Sequence, residues 1–187
     1  DALGDVLRIT AVQRASATGM GEAGEVALIF PPDISAGDVA VGDWAIREPD
    51  SHRIARLLDR ESTLSRRAAG AEAKLQLIAA NVDTLFITSS CNPDFNPARL
   101  ERYLALALDA GVTPVIVLTK TDESDDVDSY VAKARGLSDK LADVIALNAK
   151  DPDQLAPLRA WCGTGQTVAF IGSSGVGKST LLLQAAA

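Results

Sequence analysis

Glycine, lysine and hydroxyl residues are concentrated in the segment 170–182, FIGSSGVGKSTLL. Gly172 is followed by four residues and then by Gly177, Lys178 and Ser179, which is the spacing of a phosphate-binding P-loop. Glycines let backbone N–H groups turn towards phosphates, and the N-terminus of a following helix adds partial positive charge. An apolar run before the motif and a helical run after it make a chance match improbable.

The P-loop chemistry predicts a role for each residue type in this motif. Lys178 is the candidate catalytic residue, because its ammonium group reaches the β- and γ-phosphates and counters their charge. The hydroxyl group of Ser179 is the candidate Mg²⁺ ligand. The predicted phosphate-binding residues are Gly172, Ser173, Ser174, Gly175, Val176, Gly177, Lys178, Ser179 and Thr180.

A second motif, LTKTD (118–122), contains Thr119, Lys120 and Asp122 and is predicted to bind a guanine base. An aspartate there accepts hydrogen bonds from the guanine N1–H and 2-amino groups, and adenine lacks both donors in that arrangement. The aliphatic stem of the lysine can cover the plane of the base. Taken alone, these residues also fit an ordinary charged loop after a strand.

A third loop, ALNAKD, contains Asn148, Ala149 and Lys150 after another apolar run. A small residue followed by alanine and lysine can offer backbone N–H groups to the guanine O6 atom. The P-loop and these two loops, each at the end of a strand, together predict a binding site for a guanine nucleoside triphosphate.

The amino-acid composition argues against several other classes of protein. The chain has 187 residues, of which 47% are hydrophobic, and a net charge of −7, so nucleic acid would have to contact a local basic patch. Cys91 and Cys162 have no CxxC spacing and His52 is the sole histidine, which argues against zinc and disulfides and for the cytoplasm. No apolar run is long enough to span a membrane. We expect a monomer with no membrane partner.

Residues 1–58 have the pattern of a small β-domain, either an OB-like barrel or another β-fold. Strands are predicted over 6–12, 24–30, 39–46 and 53–58, with turns over 17–24 and 31–38.

Residues 59–80 are predicted to be a connector. Seven basic and five acidic residues lie between Arg47 and Lys74, so this part of the chain is mildly basic. Arg60, Arg66 and Arg67 are candidate RNA contacts, and a solvated linker is the alternative.

Residues 81–187 are predicted to form an α/β domain with a parallel sheet. Asn96 and Pro97 are the expected start of one helix, which ends before Gly111. A further helix is expected within 153–163. The predicted strands are 83–89, 113–119, 143–148 and 166–172.

The order of the motifs differs from that of Ras-like GTPases, in which the P-loop comes first. Here the guanine loops precede the P-loop, which is the order of a circularly permuted GTPase. The chain resembles the ribosome small-subunit-dependent GTPase A family. The resemblance is carried by VGDW (41–44), RESTLSRRAAG (60–70), LIAANVDTLFI (77–87), FNPARLERYL (95–104), VIVLTKTD (115–122) and GSSGVGKSTL (172–181).

The resemblance implies an N-terminal OB domain, a permuted GTPase domain and GTP hydrolysis stimulated by the small ribosomal subunit during late maturation. It also implies contacts with ribosomal RNA, and Zn²⁺ only in a C-terminal domain of the family. Since the family continues through two switch segments after the P-loop, we expect residues 81–187 to be an incomplete GTPase domain with weak activity alone. The alternatives are a transporter-type ATPase, another permuted GTPase and an RNA-binding module with little turnover.

Overall fold

The computed structural model describes residues 4–67 and 75–185, without the side chain of Arg67. Over these residues the chain divides into two compact units, Asp1–Val82 and Asp83–Ala187. The division falls close to residue 81, where the α/β domain is predicted to begin. The segment 59–80 groups with the first unit, although its residues 68–74 lie outside the described ones.

The first unit is built from antiparallel strands. Its main sheet, within the described residues, has the order β3-β2-β1-β4-β5. These strands are β1 Val6–Val12, β2 Ser16–Gly21, β3 Gly24–Ile29, β4 Trp44–Arg47 and β5 Ile54–Leu57. The outermost strands of that order also meet, because Ile29 forms a parallel bridge with Arg53 and its N–H donates to the His52 carbonyl at 2.7 Å. One hydrophobic cluster of the unit consists of the buried side chains of Leu7, Ile9, Ala17, Leu28, Val39, Ala45 and Ile54.

Strand β2 replaces much of the turn that is predicted over 17–24, so that prediction was wrong. Its glycines suggest a turn, but they serve close packing between strands. A Cβ atom at Gly21 would lie 2.6 Å from the Leu7 Cδ2 atom of β1. Cross-strand contact therefore outweighs the low strand propensity of glycine here.

The strand predicted over 39–46 is also shorter than expected, because β4 begins only at Trp44. The residues before it form a turn, in which the buried Asp43 carboxylate accepts the Ala40 N–H at 2.8 Å. Such side-chain capping of a turn competes with a strand ladder.

The predicted connector contains a β-hairpin, formed by β6 Thr63–Arg67 and β7 Leu75–Ala80. Its register places Arg66 opposite Gln76, and the Arg66 Nε atom donates to Gln76 Oε1 at 3.0 Å. The connector is therefore partly regular structure, since its two strands pair with each other in antiparallel register.

The second unit contains the predicted parallel sheet, in the order β10-β9-β8-β11. Its strands are β8 Thr84–Ser90, β9 Thr113–Thr119, β10 Asp143–Ala146 and β11 Val168–Gly172. Its helices are α1 Pro97–Asp109, α2 Val127–Arg135, α3 Ala156–Arg159 and α4 Lys178–Ala185. Every residue of β8 is buried, as expected for a strand covered on both faces.

Packing of the helices against this sheet creates its core. Phe86, Val115 and Val117 from the strands pack with Leu158 of α3 and Leu181 of α4. Helix α1 begins as predicted, because the Asn96 side chain caps it by accepting the Arg99 N–H at 3.0 Å. Within the described part of the chain, every helix is too short or too polar to cross a membrane.

The helix predicted within 153–163 is shorter than expected. It consists of a 3₁₀ turn over Pro152–Gln154 and the short α3. Pro152 and Pro157 each lie in the first turn of a separate element, because proline fits helix starts and cannot extend a helix through its N–H.

Candidate nucleotide-binding site

The P-loop motif connects the end of β11 to the start of α4, as its chemistry requires. The Lys178 ammonium group donates to the Gly172 carbonyl at 2.9 Å and to the Ser173 carbonyl at 2.5 Å. The lysine is therefore folded back over the loop that it follows. This places the cation where the loop would hold phosphate oxygens.

Gly172 shows why the first position of the loop excludes a side chain. A Cβ atom there would lie 2.3 Å from the Thr88 carbonyl oxygen of β8, which is closer than any real contact. The loop therefore leaves β11 in close contact with its neighbouring strand. A larger residue at this position would displace the backbone of the loop that is predicted to surround the phosphates.

Thr119 joins the first loop predicted to bind guanine to the P-loop. It is fully buried at the end of β9, and its hydroxyl group lies 2.6 Å from the Val176 carbonyl and 3.1 Å from the Ser89 carbonyl. A single hydroxyl hydrogen is thus shared between two acceptors from different elements. Thr119 was predicted as a nucleotide-binding residue at the end of a strand, and its hydrogen bond to the P-loop appears only in the structure.

Lys120 and Asp122 follow Thr119 at the carboxyl end of the sheet. Lys120 has a φ of 57°, a left-handed conformation that reverses the chain as it leaves β9. Asp122 lies in the 3₁₀ turn Thr121–Glu123 and is exposed. Its carboxylate is therefore accessible to a ligand.

The second loop predicted to bind guanine lies next to the first. The Lys150 ammonium group lies 4.0 Å from the Asp122 carboxylate and 3.9 Å from that of Glu123. Because both sides are exposed, this ion pair contributes little to stability. It does show that the two predicted guanine loops are neighbours, as their positions at adjacent strand ends require.

Hydrogen bonds organise the second loop around Ala149. The Asn148 side chain accepts the Lys150 N–H at 2.9 Å, and the Asn148 N–H donates to Gln154 Oε1 at 2.9 Å. Among the described residues, no acceptor is found for the N–H of Ala149 between them. Gln154 was not predicted as a site residue, since no spacing rule connects it to this loop.

Ser179 and Thr180 follow Lys178 in the first turn of α4, and Ser179 is exposed. No cluster of three or more His, Cys, Asp or Glu side chains that could hold a metal occurs within residues 4–67 and 75–185. A lone hydroxyl ligand is consistent with Mg²⁺, which is commonly bound by few protein oxygens together with substrate phosphates and water.

Arg99 also contacts the P-loop, although the motifs do not predict it. Its guanidinium Nη1 donates to the Ser173 hydroxyl group, and Arg99 itself is half-buried in the first turn of α1. This contact brings a second cation to the start of the P-loop.

The predicted RNA contacts lie in the first unit. Arg60 donates to both carboxylate oxygens of Asp43 at 2.6 and 2.7 Å and to the Asp38 carbonyl at 2.6 Å. The hydrogen bond to Asp43 raises the pKa of the Arg60 guanidinium. Arg66 is exposed on the hairpin, and the side chain of Arg67 lies outside the described residues.

The parallel sheet and the loop after β11 define a P-loop nucleotide-binding domain. The sequence allows a narrower assignment, because a family model described as RsgA GTPase matches residues 57–186. The chain belongs to the RsgA GTPase family.

Curated relatives agree with this assignment. The chain is 54% identical over 175 residues to the small ribosomal subunit biogenesis GTPase RsgA of Mesorhizobium japonicum, covering 94% of this chain and 50% of that protein. It is 49% identical over 175 residues to RsgA 2 of Vibrio parahaemolyticus, covering 94% and 48%. The chain thus spans about half the length of these curated relatives.

Solved structures share the fold. YjeQ from Thermotoga maritima matches with a TM-score of 0.75 and 22% identity over 97% of this chain and 64% of that one. YloQ, described as a circularly permuted GTPase, matches with a TM-score of 0.66 and 25% identity over 95% and 63%. The match to YloQ agrees with the order of motifs along this chain.

Proposed function

We propose that this chain binds GTP at the loops of its second unit and hydrolyses it with Mg²⁺ in the biogenesis of the small ribosomal subunit. The curated relatives are named as GTPases of small ribosomal subunit biogenesis, and they are about twice as long as this chain. Hydrolysis stimulated by the small subunit is part of the same proposal.

The coupling of the three strand-end loops is the observation that supports this function most. Thr119 bonds to the P-loop carbonyl of Val176, and Asp122 lies opposite Lys150. A base between the guanine loops and phosphates in the P-loop would therefore be parts of one ligand, as expected at the carboxyl ends of parallel strands.

Guanine fits the first two loops in hydrogen-bonding terms. The Asp122 carboxylate accepts from N1–H and the 2-amino group, and the Ala149 N–H donates to O6. Adenine would leave the carboxylate without its donors and would place an amino group against the Ala149 N–H. Unmatched polar groups of this kind are costly in a binding site.

Lys178 and Mg²⁺ supply the chemistry at the phosphate end. The bound ion would neutralise charge on the phosphates, with Ser179 as its protein ligand. The Lys178 ammonium would leave the loop carbonyls for phosphate oxygens and stabilise charge that develops in the transition state. The glycines of the loop allow its backbone N–H groups to stabilise the same charge on the phosphate oxygens.

The first unit is proposed to be an OB-like barrel that contacts ribosomal RNA. The meeting of its outermost strands at Ile29 and Arg53 supports a closed barrel. We assign Arg60 to the fold because Asp43 engages its guanidinium, and we keep Arg66 and Arg67 as RNA contacts. We also propose that the protein is cytoplasmic and monomeric.

Nucleotide competition tests the guanine site. GTP, GDP, ATP and XTP would compete for a fluorescent guanine nucleotide on the full-length protein, on Asp122→Asn and on Asp125→Asn. We expect Asp122→Asn to weaken GTP binding roughly tenfold to a hundredfold and to favour XTP, whose 2-oxo group meets the new amide donor. Asp125→Asn is the matched control, since it removes a nearby exposed carboxylate outside the motif.

Equal competition by ATP and GTP would contradict the guanine site while leaving the P-loop assignment in place. Unchanged GTP affinity in Asp122→Asn would contradict the placement of the base. The ribosomal part is tested separately, by measuring GTP hydrolysis with and without purified small ribosomal subunits. Equal rates in the two conditions would contradict the proposed stimulation.

A further inference from the structure

Two cations meet at Ser173, the first residue after β11. Lys178 donates to the carbonyl of this residue at 2.5 Å, and Arg99 donates to its hydroxyl group. Lys178 is the established type of P-loop cation, whereas Arg99 comes from α1, 74 residues earlier in the chain than Ser173. The contact is therefore a product of the tertiary fold and lies outside the P-loop motif.

The guanidinium of Arg99 has no carboxylate partner within 4 Å among the described residues. Like charges so close to one residue repel each other, and an anion placed between them relieves that repulsion. A polyphosphate is such an anion. An arginine also presents several N–H donors in one plane, which suits phosphate oxygens.

An open pocket of about 400 Å³ lies beside this contact, in the second unit. It is lined by Asp94, Asn96, Arg99, Ser173 and Ser174, together with Pro93 and Phe95. The pocket therefore joins the start of α1 to the start of the P-loop. It leaves space next to the guanidinium for part of a ligand.

Arg99 is also held in place before any ligand binds. The Asn96 side chain caps α1 by accepting the Arg99 N–H, and the next residue, Leu100, is buried. Phe95 packs edge-on against Tyr130 with ring centroids 5.2 Å apart, which anchors the segment before the helix. Preorganisation of this kind lowers the entropic cost of ordering a binding residue.

We propose that Arg99 is a second phosphate-binding cation, which contacts the terminal phosphate of the nucleotide and makes the site prefer GTP to GDP. The terminal phosphate is the one concerned, because Lys178 marks the β- and γ-phosphate end of the ligand and shares Ser173 with Arg99. Arg99 would thereby connect α1 to the presence of the γ-phosphate. This inference rests on the proposed function.

The test compares binding of GDP and the slowly hydrolysed analogue GTPγS by the full-length protein and its variants. Arg99→Gln removes the charge but keeps an amide donor for Ser173, and Arg99→Lys keeps the charge. We expect Arg99→Gln to weaken GTPγS binding about tenfold and GDP binding by less than about twofold. Arg99→Lys should recover most of the difference between the two nucleotides.

Arg102→Gln is the matched control, because Arg102 is exposed on the same helix and should leave both affinities unchanged. Equal weakening of GDP and GTPγS in Arg99→Gln would overturn the proposal, since Arg99 would then act only by shaping the loop. Unchanged binding of both nucleotides would overturn it as well. Failure of the parent protein to bind either nucleotide would instead contradict the proposed function.

Discussion

The two units place their polar residues in different parts of their sheets. In the second unit every position of β8 is buried, and the predicted site residues lie at the ends of β9 and β11, on the loops after β9, β10 and β11, and at the start of α4. In the first unit buried and exposed positions share the strands and hairpin, as in β1 and at Arg66 on β6. An antiparallel sheet can face water on one side, whereas a parallel sheet covered by helices cannot.

This difference explains how well each unit can be interpreted from its residues. Loops at the ends of buried strands need particular backbone conformations and donors, so their chemistry appears as short motifs with fixed spacing. A half-exposed sheet can carry arginines at many positions, and spacing alone does not separate a binding arginine from a structural one. Arg60 is held by Asp43, whereas Arg66 is exposed and is only proposed to contact RNA.

The largest effect is expected for Arg60→Met in the first unit. It leaves the fully buried Asp43 carboxylate without its guanidinium partner, which should lower the free energy of unfolding of that unit by about 3 kcal/mol. Fluorescence of Trp44 during denaturation, in a Trp161→Phe background, measures this loss. The matched control is Arg56→Met, an exposed arginine on β5 that should change stability by less than about 0.5 kcal/mol.

The same variant also tests whether the units fold independently. Burial raises the pKa of the Cys91 thiol in the second unit to about 11, so at pH 8 it is protonated and reacts slowly with iodoacetamide. Both cysteines of the chain lie in the second unit. We expect Cys91 labelling to stay slow in Arg60→Met. Faster labelling would contradict independent folding of the two units.

A smaller effect is expected for Thr119→Val in the second unit. The substitution keeps the side-chain shape but removes the donor of the 2.6 Å bond to the Val176 carbonyl. The free energy of unfolding should fall by about 1.5 kcal/mol, and GTP and GDP should both bind more weakly because the P-loop loses a support.

Thr113→Val is the control for that variant, since Thr113 is exposed at the start of the same strand. Denaturant titration and nucleotide binding of both variants provide the comparison. Equal stability and affinity in Thr119→Val and the parent would show that the link between the loops has no energetic role.

The smallest effect on nucleotide binding is expected for the double variant Arg66→Gln with Arg67→Gln. GTP affinity should stay unchanged, while binding to purified small ribosomal subunits should become less sensitive to salt. Each lost phosphate contact should lower the slope of log K against log salt by about 0.7 to 0.9. Arg14→Gln, at an exposed arginine between β1 and β2, should leave the slope unchanged if the hairpin is the contact.

Much of the second unit could be predicted from its residues. The strands and the cap at Asn96 depend on local rules of burial and capping. Gly21 was misinterpreted because a glycine within a strand and a glycine within a turn have the same local signal. Only the Leu7 side chain on the neighbouring strand distinguishes them.

The sequence by itself therefore determined the P-loop motif, the two loops predicted to bind guanine and the parallel strands that carry them, because each depends on residues within a few positions of one another. The tertiary structure decided which side chains meet across the chain. Thr119 and Val176 are 57 residues apart, and Arg99 and Ser173 are 74 apart. No local pattern encodes such pairs, because their contact arises only when separate strands and helices pack into one sheet domain.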